Sequence, residues 1–250
     1  MTDKEEKFDL QILPVKTEAD YMKLKVPISP VLPDLEKCFV MVLIGPTNSG
    51  KSNLICNLIF RFFKLENLDY VYWISPTIKI DNTTACIREH FPNTIYEKYS
   101  DALIENIIKF QESFPKEDRP KTLIVIDDNV SENRCQYLNY LCCRNRHTNV
   151  SIIISVQQIK KVAKIARNQA SNVVLWRTRS EVEKTQIYEI YGGNYCDKKS
   201  FFKMFKYATQ DKPYDFLYLK LHASPKPLAF KNFTEDITNK FCSNYEDEVI

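Results

Sequence analysis

Glycine is scarce in this sequence. Four glycines stand among 250 residues, where average usage of about 7% would give roughly 17. Gly45 and Gly50 bracket a short segment, and Gly192 and Gly193 are adjacent. A chain so poor in glycine should keep it where backbone geometry demands it, so we expect a specific reason for each pair. The 44% apolar content excludes a disordered or fibrous chain and is ample for a buried core.

Long apolar runs are also absent. No uninterrupted apolar stretch approaches the roughly 20 residues that a membrane span needs, and the chain starts with charged residues, MTDKEEKFDL. We therefore expect no membrane span and no secretion by a standard signal. The eight cysteines are dispersed, with no C-x-x-C motif and no His/Cys spacing suited to zinc. This dispersal predicts reduced, buried thiols in a cytosol-like compartment.

Acidic residues are missing from one long segment. Between residues 133 and 180 there is no Asp or Glu, while nine of the 35 lysines and arginines fall there. The formal net charge of +3 is by itself too small to indicate a nucleic-acid binder. Because the remainder of the chain is net acidic, the positive charge is concentrated in this segment.

Strand-like and helix-like patterns alternate after a charged, proline-bearing start. The predicted strands are the apolar runs at 38–44, 69–75, 122–127, 151–156, 172–177 and, as the last strand, 216–222. The alternation predicts one α/β domain with a mainly parallel sheet flanked by helices on both faces. We place an arm at 1–35, the domain at 36–235 and an acidic tail at 236–250.

Helices are predicted between these strands from periodicity and from capping residues. Their expected ranges are 52–64, a helix capped by Ser100 with an apolar stripe of Leu103, Ile107, Phe110 and Phe114, the region near 133–143, 159–169, and the stretch DKKSFFKMFKYA. A further helix should begin at a capping box of Ser180 and Glu183 and stop at the second glycine pair.

The first glycine pair belongs to a phosphate-binding motif. The segment GPTNSGKS at 45–52 matches G-x-x-x-x-G-K-[ST] and lies between a predicted strand and a predicted helix. Its backbone N–H groups should hold phosphate oxygens, Lys51 should span the β- and γ-phosphates, and the Ser52 hydroxyl should bind Mg²⁺. The predicted ATP-binding residues are Gly45, Pro46, Thr47, Asn48, Ser49, Gly50, Lys51, Ser52 and Asn53.

Polar residues at two later strand ends complete a candidate catalytic site. The run LIVID delivers Asp127 to the carboxyl end of a buried strand, where it should hold the Mg²⁺ shell. Asp128 follows it and is placed to orient or deprotonate the attacking water, with a loop cap as the alternative. Gln157 follows the next strand and could hydrogen-bond the γ-phosphate or its water; the alternative is a helix-capping role.

Taken together, GPTNSGKS, LIVIDD and RNRHTN leading into SIIISVQQ resemble the FtsK/HerA superfamily, and within it the poxvirus-type viral genome-packaging ATPases. The resemblance spans roughly residues 38–180. It implies a RecA-like P-loop NTPase core that uses ATP and Mg²⁺, forms a homo-oligomeric ring such as a hexamer, and drives double-stranded DNA into a preformed capsid. It further implies capsid or portal-like vertex proteins as partners, and a location in the virion or in viral factories of the host cytoplasm.

The acid-free segment acquires candidate roles from this resemblance. In a ring motor, a basic side chain of one subunit stabilises transition-state charge in its neighbour's site. Arg144 and Arg146 are our candidates, with Arg167 and Arg177 left open. The side chains of Lys160, Lys161 and Lys164 could contact DNA phosphates or form a solvated helix face.

Two other functions fit the phosphate loop. The chain could be a nucleotide or small-molecule kinase, which would need a mobile lid with convergent arginines. It could also be an assembly protein that binds nucleotide as a structural element.

The sequence departs from the superfamily pattern at one catalytic position. Many cellular members have Glu after the metal-binding Asp, whereas this chain has Asp128, whose side chain is one methylene shorter. The role of Asp128 as the base is therefore left open.

Overall fold

One nine-stranded sheet organises the chain. The computed structural model describes residues 10–12, 29–128 and 135–242. Within them the strands are β1 (Val40–Ile44), β2 (Tyr70–Ile74), β3 (Ile95–Tyr96), β4 (Thr122–Asp127), β5 (Val150–Val156), β6 (Asn172–Trp176), β7 (Phe216–Lys220), β8 (Leu228–Lys231) and β9 (Glu235–Asp236). Their spatial order is β3-β2-β4-β5-β1-β6-β7-β8-β9, parallel from β3 to β6 and antiparallel from β6 to β9.

Helices cover both faces of this sheet. They are α1 (Lys51–Asn57), which continues as a π-helical turn over Leu58–Phe62, α2 (Ala85–His90), α3 (Asp101–Glu112), α4 (Gln136–Thr148), α5 (Lys164–Gln169), α6 (Glu181–Ile190), α7 (Lys198–Thr209) and α8 (Thr238–Phe241). Apolar residues of α1 and α2 form the core on one face, and those of α3 to α7 form the core on the other. The predicted α/β class with a mainly parallel sheet is therefore confirmed.

The central strands explain why the sequence has continuous apolar runs. All residues of β1, β4, β5 and β6 are buried, since helices pack on both sides of them. In the sheet, β5 lies between β1 and β4. The strand that precedes the phosphate loop is thus separated from the strand that carries Asp127 by one additional strand.

Three short strands were missed by the sequence analysis. The expectation that 216–222 is the last strand is wrong, since β8 and β9 extend the antiparallel edge, and β3 adds two residues at the other edge. The strands β3 and β9 have two residues each and β8 has four. Runs this short carry almost no periodicity, which is why sequence pattern does not reveal them.

The helix predicted at 159–169 is interrupted. A 3₁₀ turn at Ile159–Lys161 is followed by extended backbone at Val162 and Ala163, and α5 begins only at Lys164. Val162 and Ala163 are buried in the core. The helix is interrupted here because the non-helical backbone at these two residues places both side chains in the core.

The second glycine pair has a different reason from the one expected. Helix α6 starts at the Ser180 cap as predicted and ends at Ile190, but Gly192 lacks the left-handed backbone of a glycine stop. It begins a 3₁₀ turn, and a Cβ there would stand 2.6 Å from Cδ2 of Tyr188 and 2.9 Å from Cδ2 of Phe201. Close packing therefore requires Gly192. Nothing lies within 4 Å of a Cβ at Gly193.

The apolar stripe of α3 is rotated from its predicted position. The Ser100 cap is confirmed, since its hydroxyl accepts a hydrogen bond from Leu103 N at 3.2 Å. The buried residues of the helix are Ile104, Ile107, Ile108 and Gln111. Phe110 instead packs at the rim, with its ring centroid 5.3 Å from that of Tyr70 and 5.2 Å from that of Phe114.

The segments expected to be an arm and a tail contribute to the core where they are described. Leu10 and Leu32 are buried on the α1 face, and Ile237 and Cys242 are buried on the other. Residues 237–242 therefore pack with the domain. The remainder of the predicted tail, 243–250, and residues 1–9 and 13–28 of the arm lie outside the described residues.

All eight cysteines are free thiols, and the expected burial is confirmed for seven of them, whereas Cys143 is exposed. Among the residues that the structure describes, every helix is too short or too polar to cross a bilayer.

Candidate nucleotide-binding site

The phosphate loop connects β1 to α1 through a tight backbone path. Asn48 and Gly50 both adopt left-handed conformations, with φ of +62° and +94°. Gly50 directly precedes the first residue of α1, where the free N–H groups of the helix begin. Asn tolerates the left-handed region better than most residues. The sequence motif marks Gly50, whereas nothing in it marks the similar backbone requirement at Asn48.

Gly45 is required for space rather than for a left-handed conformation. A Cβ at this position would lie 2.7 Å from Oγ of Ser49 and 2.9 Å from Cβ of Trp176. Its backbone N–H donates to the carbonyl of Val156 at 3.1 Å, which ties the start of the loop to the end of β5. The two glycines of the motif therefore serve different purposes, one for packing and one for backbone conformation.

Lys51 is folded back onto the loop. Its Nζ donates to the carbonyl oxygens of Gly45 at 2.8 Å and Pro46 at 2.9 Å. Burial lowers the pKa of its ammonium group, and the carboxylates of Asp128 and Asp127 oppose that shift. A buried cation held by two neutral carbonyls can exchange them for anionic oxygens, which are stronger acceptors.

Asp127 ends β4 as a buried carboxyl group. It is only 7% exposed. Burial raises its pKa above the ordinary value for aspartate, and the adjacent Asp128 carboxylate adds to this effect, while Ser155 and the Lys51 ammonium oppose it. A cation placed beside a carboxylate in such surroundings stabilises its charged form.

Asp128 and Gln157 are in direct contact. The side-chain amide of Gln157 donates to Oδ2 of Asp128 at 3.1 Å. Asp128 has a left-handed backbone with φ of +50°, and its N–H donates to the carbonyl of Ser155 at 2.9 Å. The two residues thus meet across the neighbouring ends of β4 and β5. Gln158, and not Gln157, occupies the N-cap position of the following turn, and its side chain makes no capping bond.

A single cleft of about 1030 Å³ brings these residues together. Of the predicted residues it is lined by Thr47, Asn48, Ser49, Gly50, Lys51, Ser52, Asn53, Asp127, Asp128 and Gln157. Other lining residues were not identified from sequence, among them Ile12, Thr77, Asp81, Trp176, Tyr214 and Phe216. These come from segments that only the folded sheet brings beside the phosphate loop, and no motif marks them.

The loop after β2 forms one wall of the cleft. Arg88 of α2 holds this loop, since its Nη1 donates to the carbonyls of Ile78 and Asp81, each at 2.7 Å. Asp81 caps the next turn by accepting from Thr83 N at 2.8 Å. Its carboxylate also contributes to the raised pKa of Asp127. Asp81 is therefore a third acidic group near the site.

The turn after Gln157 is fixed by a residue predicted only to cap a helix. The N–H of Glu183 donates to Ser180 Oγ at 3.2 Å, which is half of the expected capping box. The Glu183 carboxylate does not return to the Ser180 N–H. It accepts instead from Ile159 N at 2.6 Å. Glu183 thereby anchors the segment that carries Gln157.

The candidate arginines lie at different edges of the sheet. Arg144 and Arg146 are exposed on α4, whose end leads into the first residue of β5. Arg146 acts on the pKa of Cys38, which precedes β1, so it lies at the edge opposite the phosphate loop. Arg177 is exposed directly after β6, and it lines a smaller surface pocket with Pro46 of the phosphate loop.

Three features define a P-loop nucleoside triphosphatase fold. The sheet is mainly parallel, a glycine-bounded loop leads from β1 into α1, and β4, which carries Asp127, is separated from β1 by the single strand β5. A sequence profile of the poxvirus A32 protein family matches residues 34–215. The chain belongs to that family.

A curated relative and solved structures are also similar to this chain. Protein L437 of Acanthamoeba polyphaga mimivirus is 20% identical over 195 residues, which cover 71% of this chain and 66% of that protein. The genome packaging NTPase B204 of Sulfolobus turreted icosahedral virus 2, in complex with AMP, superposes with a TM-score of 0.57 at 18% identity over 77% of this chain and 96% of B204.

Two further solved structures share the fold. B204 in complex with ATP-gammaS gives a TM-score of 0.56 at 18% identity over 77% of this chain and 96% of that one. EssC (ATPases 2 and 3) of Geobacillus thermodenitrificans gives 0.53 at 14% identity, over 80% of this chain and 40% of EssC. At these identities the likeness establishes the fold, which is that of the P-loop ATPases.

Proposed function

We propose that this chain hydrolyses ATP to move double-stranded DNA and package a viral genome into a preformed capsid. The observation that carries the proposal is the convergence of Lys51, Asp127 and the Asp128–Gln157 pair on one cleft. Membership in the poxvirus A32 family and the fold of the packaging NTPase B204 support the DNA substrate.

In the proposed reaction, the triphosphate lies in the phosphate loop. The Nζ of Lys51 leaves the carbonyls of Gly45 and Pro46 and binds β- and γ-phosphate oxygens. Asp128 orients the attacking water and accepts its proton, and Gln157 holds Asp128 and contacts the γ-phosphate or the water. The products are ADP and inorganic phosphate.

The residues present fit a magnesium ion. Mg²⁺ prefers oxygen ligands and is commonly held in such sites by one or two protein oxygens together with phosphates and water. The Ser52 hydroxyl and the Asp127 carboxylate supply those oxygens in one cleft. Burial raises the pKa of Asp127, and a cation beside its carboxylate would favour the charged form. When bound, the ion neutralises charge on the β- and γ-phosphates.

A ring of identical subunits, such as a hexamer, fits the positions of the arginines. Arg144 and Arg146 lie at the sheet edge away from the cleft of their own chain, so they would act on a neighbour's nucleotide. Arg177 shares a small surface pocket with Pro46 of the phosphate loop, and Arg167 lies on α5; both are further candidates for this role.

The DNA contact is proposed for the exposed Lys160, Lys161 and Lys164. They follow Gln157 within the same segment, whose backbone Glu183 anchors. A lysine surface of this kind would contact phosphates without reading sequence, and its binding would weaken as salt increases. Capsid or portal-like vertex proteins are the proposed further partners, in the virion or in viral factories of the host cytoplasm.

The decisive experiment measures ATP hydrolysis by the purified chain with and without double-stranded DNA, together with its mass in solution with nucleotide. We expect DNA-stimulated hydrolysis by a ring, loss of hydrolysis in Lys51→Ala, and parent-like hydrolysis in Lys206→Ala, a lysine exposed on α7. Stimulation by a small acceptor instead of DNA would identify a kinase. Retention of hydrolysis and of filled particles by Lys51→Ala would identify an assembly protein.

A further inference from the structure

The cleft has an acidic flank and an aromatic flank. In the sheet, β5 and β4 lie on one side of β1 and carry Gln157, Asp127 and Asp128 at their ends. On the other side lie β6, which ends at Trp176, and β7, which begins at Phe216. Trp176 pairs with Phe216 in antiparallel register, so both stand at the same edge of the sheet as the phosphate loop.

One aromatic ring on this flank is open to solvent. Trp176 is 3% and Phe216 is 2% exposed, whereas Tyr214 is 66% exposed. The ring of Tyr214 lies beside the phosphate loop, with its Cδ1 atom 3.4 Å from the position that a Cβ at Gly50 would take. A large aromatic ring left open inside a cleft is available to a ligand.

The turn that carries Tyr214 is firmly held. The indole Nε1 of Trp176 donates to the Tyr214 carbonyl at 3.2 Å. Asp215 is buried, and its carboxylate accepts from Lys212 N at 3.0 Å and from Asn232 Nδ2 at 2.7 Å. The backbone that carries the ring is therefore held in place, while most of the ring surface remains exposed.

We propose that Tyr214 stacks on the nucleobase of the bound nucleotide. This inference rests on the proposed function, since it requires a nucleoside triphosphate in the cleft. The γ-phosphate must face Asp128 and Gln157 for hydrolysis, so the nucleoside end of the molecule points toward the opposite flank, where Tyr214 stands. Stacking on an aromatic ring accepts any base, because every base has a π face.

The test compares ligands with and without a base. We would measure the affinity of ATP and of inorganic tripolyphosphate, both with Mg²⁺, for the parent, Tyr214→Ala and Tyr214→Phe. Val182→Ala, which shortens a side chain of α6 that is 65% exposed, is the matched control. We expect Tyr214→Ala to weaken ATP binding by about tenfold and to leave tripolyphosphate binding unchanged. Tyr214→Phe and Val182→Ala should bind both ligands as the parent does.

Two results would overturn the assignment of Tyr214. Unchanged ATP affinity in Tyr214→Ala excludes stacking, and an equal loss for ATP and tripolyphosphate means that Tyr214 supports the phosphate loop instead. A parent that binds neither ligand contradicts the proposed function itself, so the two failures are distinguishable. Photolabelling of the parent with 8-azido-ATP needs no variant: the labelled peptide should contain Tyr214, and labelling confined to other segments contradicts the proposal.

Discussion

Oδ2 of Asp128 accepts a hydrogen bond from Nε2 of Gln157 at 3.1 Å, although the two residues are far apart in sequence. The contact exists because β4 and β5 are parallel neighbours, with Asp127 paired to Ser155 in the register. The strand register therefore orients the proposed base and the proposed γ-phosphate contact toward each other. Such preorganisation avoids part of the cost of arranging groups during the reaction.

Replacement of Asp128 should separate binding from turnover. Asp128→Asn keeps the shape of the side chain but removes the proton acceptor, so we expect ATP binding near that of the parent and hydrolysis slower by about 10² to 10⁴. Single-turnover hydrolysis and equilibrium binding measure the two effects. Asp118→Asn, on an exposed turn, is the matched control. Equal hydrolysis by Asp128→Asn and the parent would remove Asp128 from the catalytic role.

Mixed subunits should show whether an arginine acts between chains. Arg146→Ala leaves the phosphate loop intact, and Lys51→Ala leaves the arginine intact, so a mixture can form complete sites at interfaces between unlike subunits. We expect such mixtures to regain hydrolysis that neither variant has alone, with Arg144→Ala, Arg167→Ala and Arg177→Ala tested in the same way.

The control for this experiment is a mixture of Lys51→Ala with Asp128→Asn. Both residues line the cleft of their own chain, so every site in that mixture carries a defect and no activity should return. If no arginine variant recovers activity with Lys51→Ala, the shared site is excluded.

The negative charge on the buried Asp127 should lower the free energy of unfolding of the nucleotide-free protein at neutral pH. Its pKa in the folded chain is raised, so folding favours its protonated form. Its contribution to the free energy of unfolding is therefore most favourable below the ordinary pKa of aspartate and is lost as pH rises through the raised value. Asp127→Asn should melt above the parent at neutral pH and together with it in acid.

Thermal unfolding followed by circular dichroism from acid to neutral pH tests this expectation. Asp118→Asn should follow the parent throughout. A stabilising effect of Asp127→Asn that is largest in acid has the wrong sign and would contradict the assignment.

The adjacent glycines should respond differently to the same substitution. A methyl group at Gly192 would overlap the rings of Tyr188 and Phe201, so Gly192→Ala should lower the free energy of unfolding by about 1–3 kcal/mol. Gly193→Ala meets nothing within 4 Å and should change it by less than about 0.5 kcal/mol. Chemical denaturation of both variants measures the difference, and similar losses would rule out the packing explanation.

Sequence pattern predicts those features of this molecule that depend on neighbouring residues in the chain. The buried parallel strands follow from continuous apolar runs, and the phosphate loop at 45–52 follows from a fixed motif. The positions of Asp127 and Gln157 follow because parallel strands end at one edge. Sequence pattern did not predict the relationships between distant segments. These are the 3.1 Å hydrogen bond between Gln157 and Asp128, the hydrogen bond from Ile159 N to the Glu183 carboxylate, and the aromatic flank at Tyr214. These depend on the spatial order of strands, which no single segment encodes.

The end of β5 acts as a mechanical junction. The carbonyl of Ser155 accepts from Asp128 N and that of Val156 accepts from Gly45 N, and Gln157 comes next in the chain. The phosphate loop, the backbone of Asp128 and the Gln157 amide are consequently connected to three consecutive residues, so movement of this strand end would affect all of them. The turn that carries Lys160 and Lys161 begins at Ile159, two residues after Gln157. If loss of the γ-phosphate displaces this strand end, the displacement would therefore be transmitted to these lysines over only a few residues of backbone.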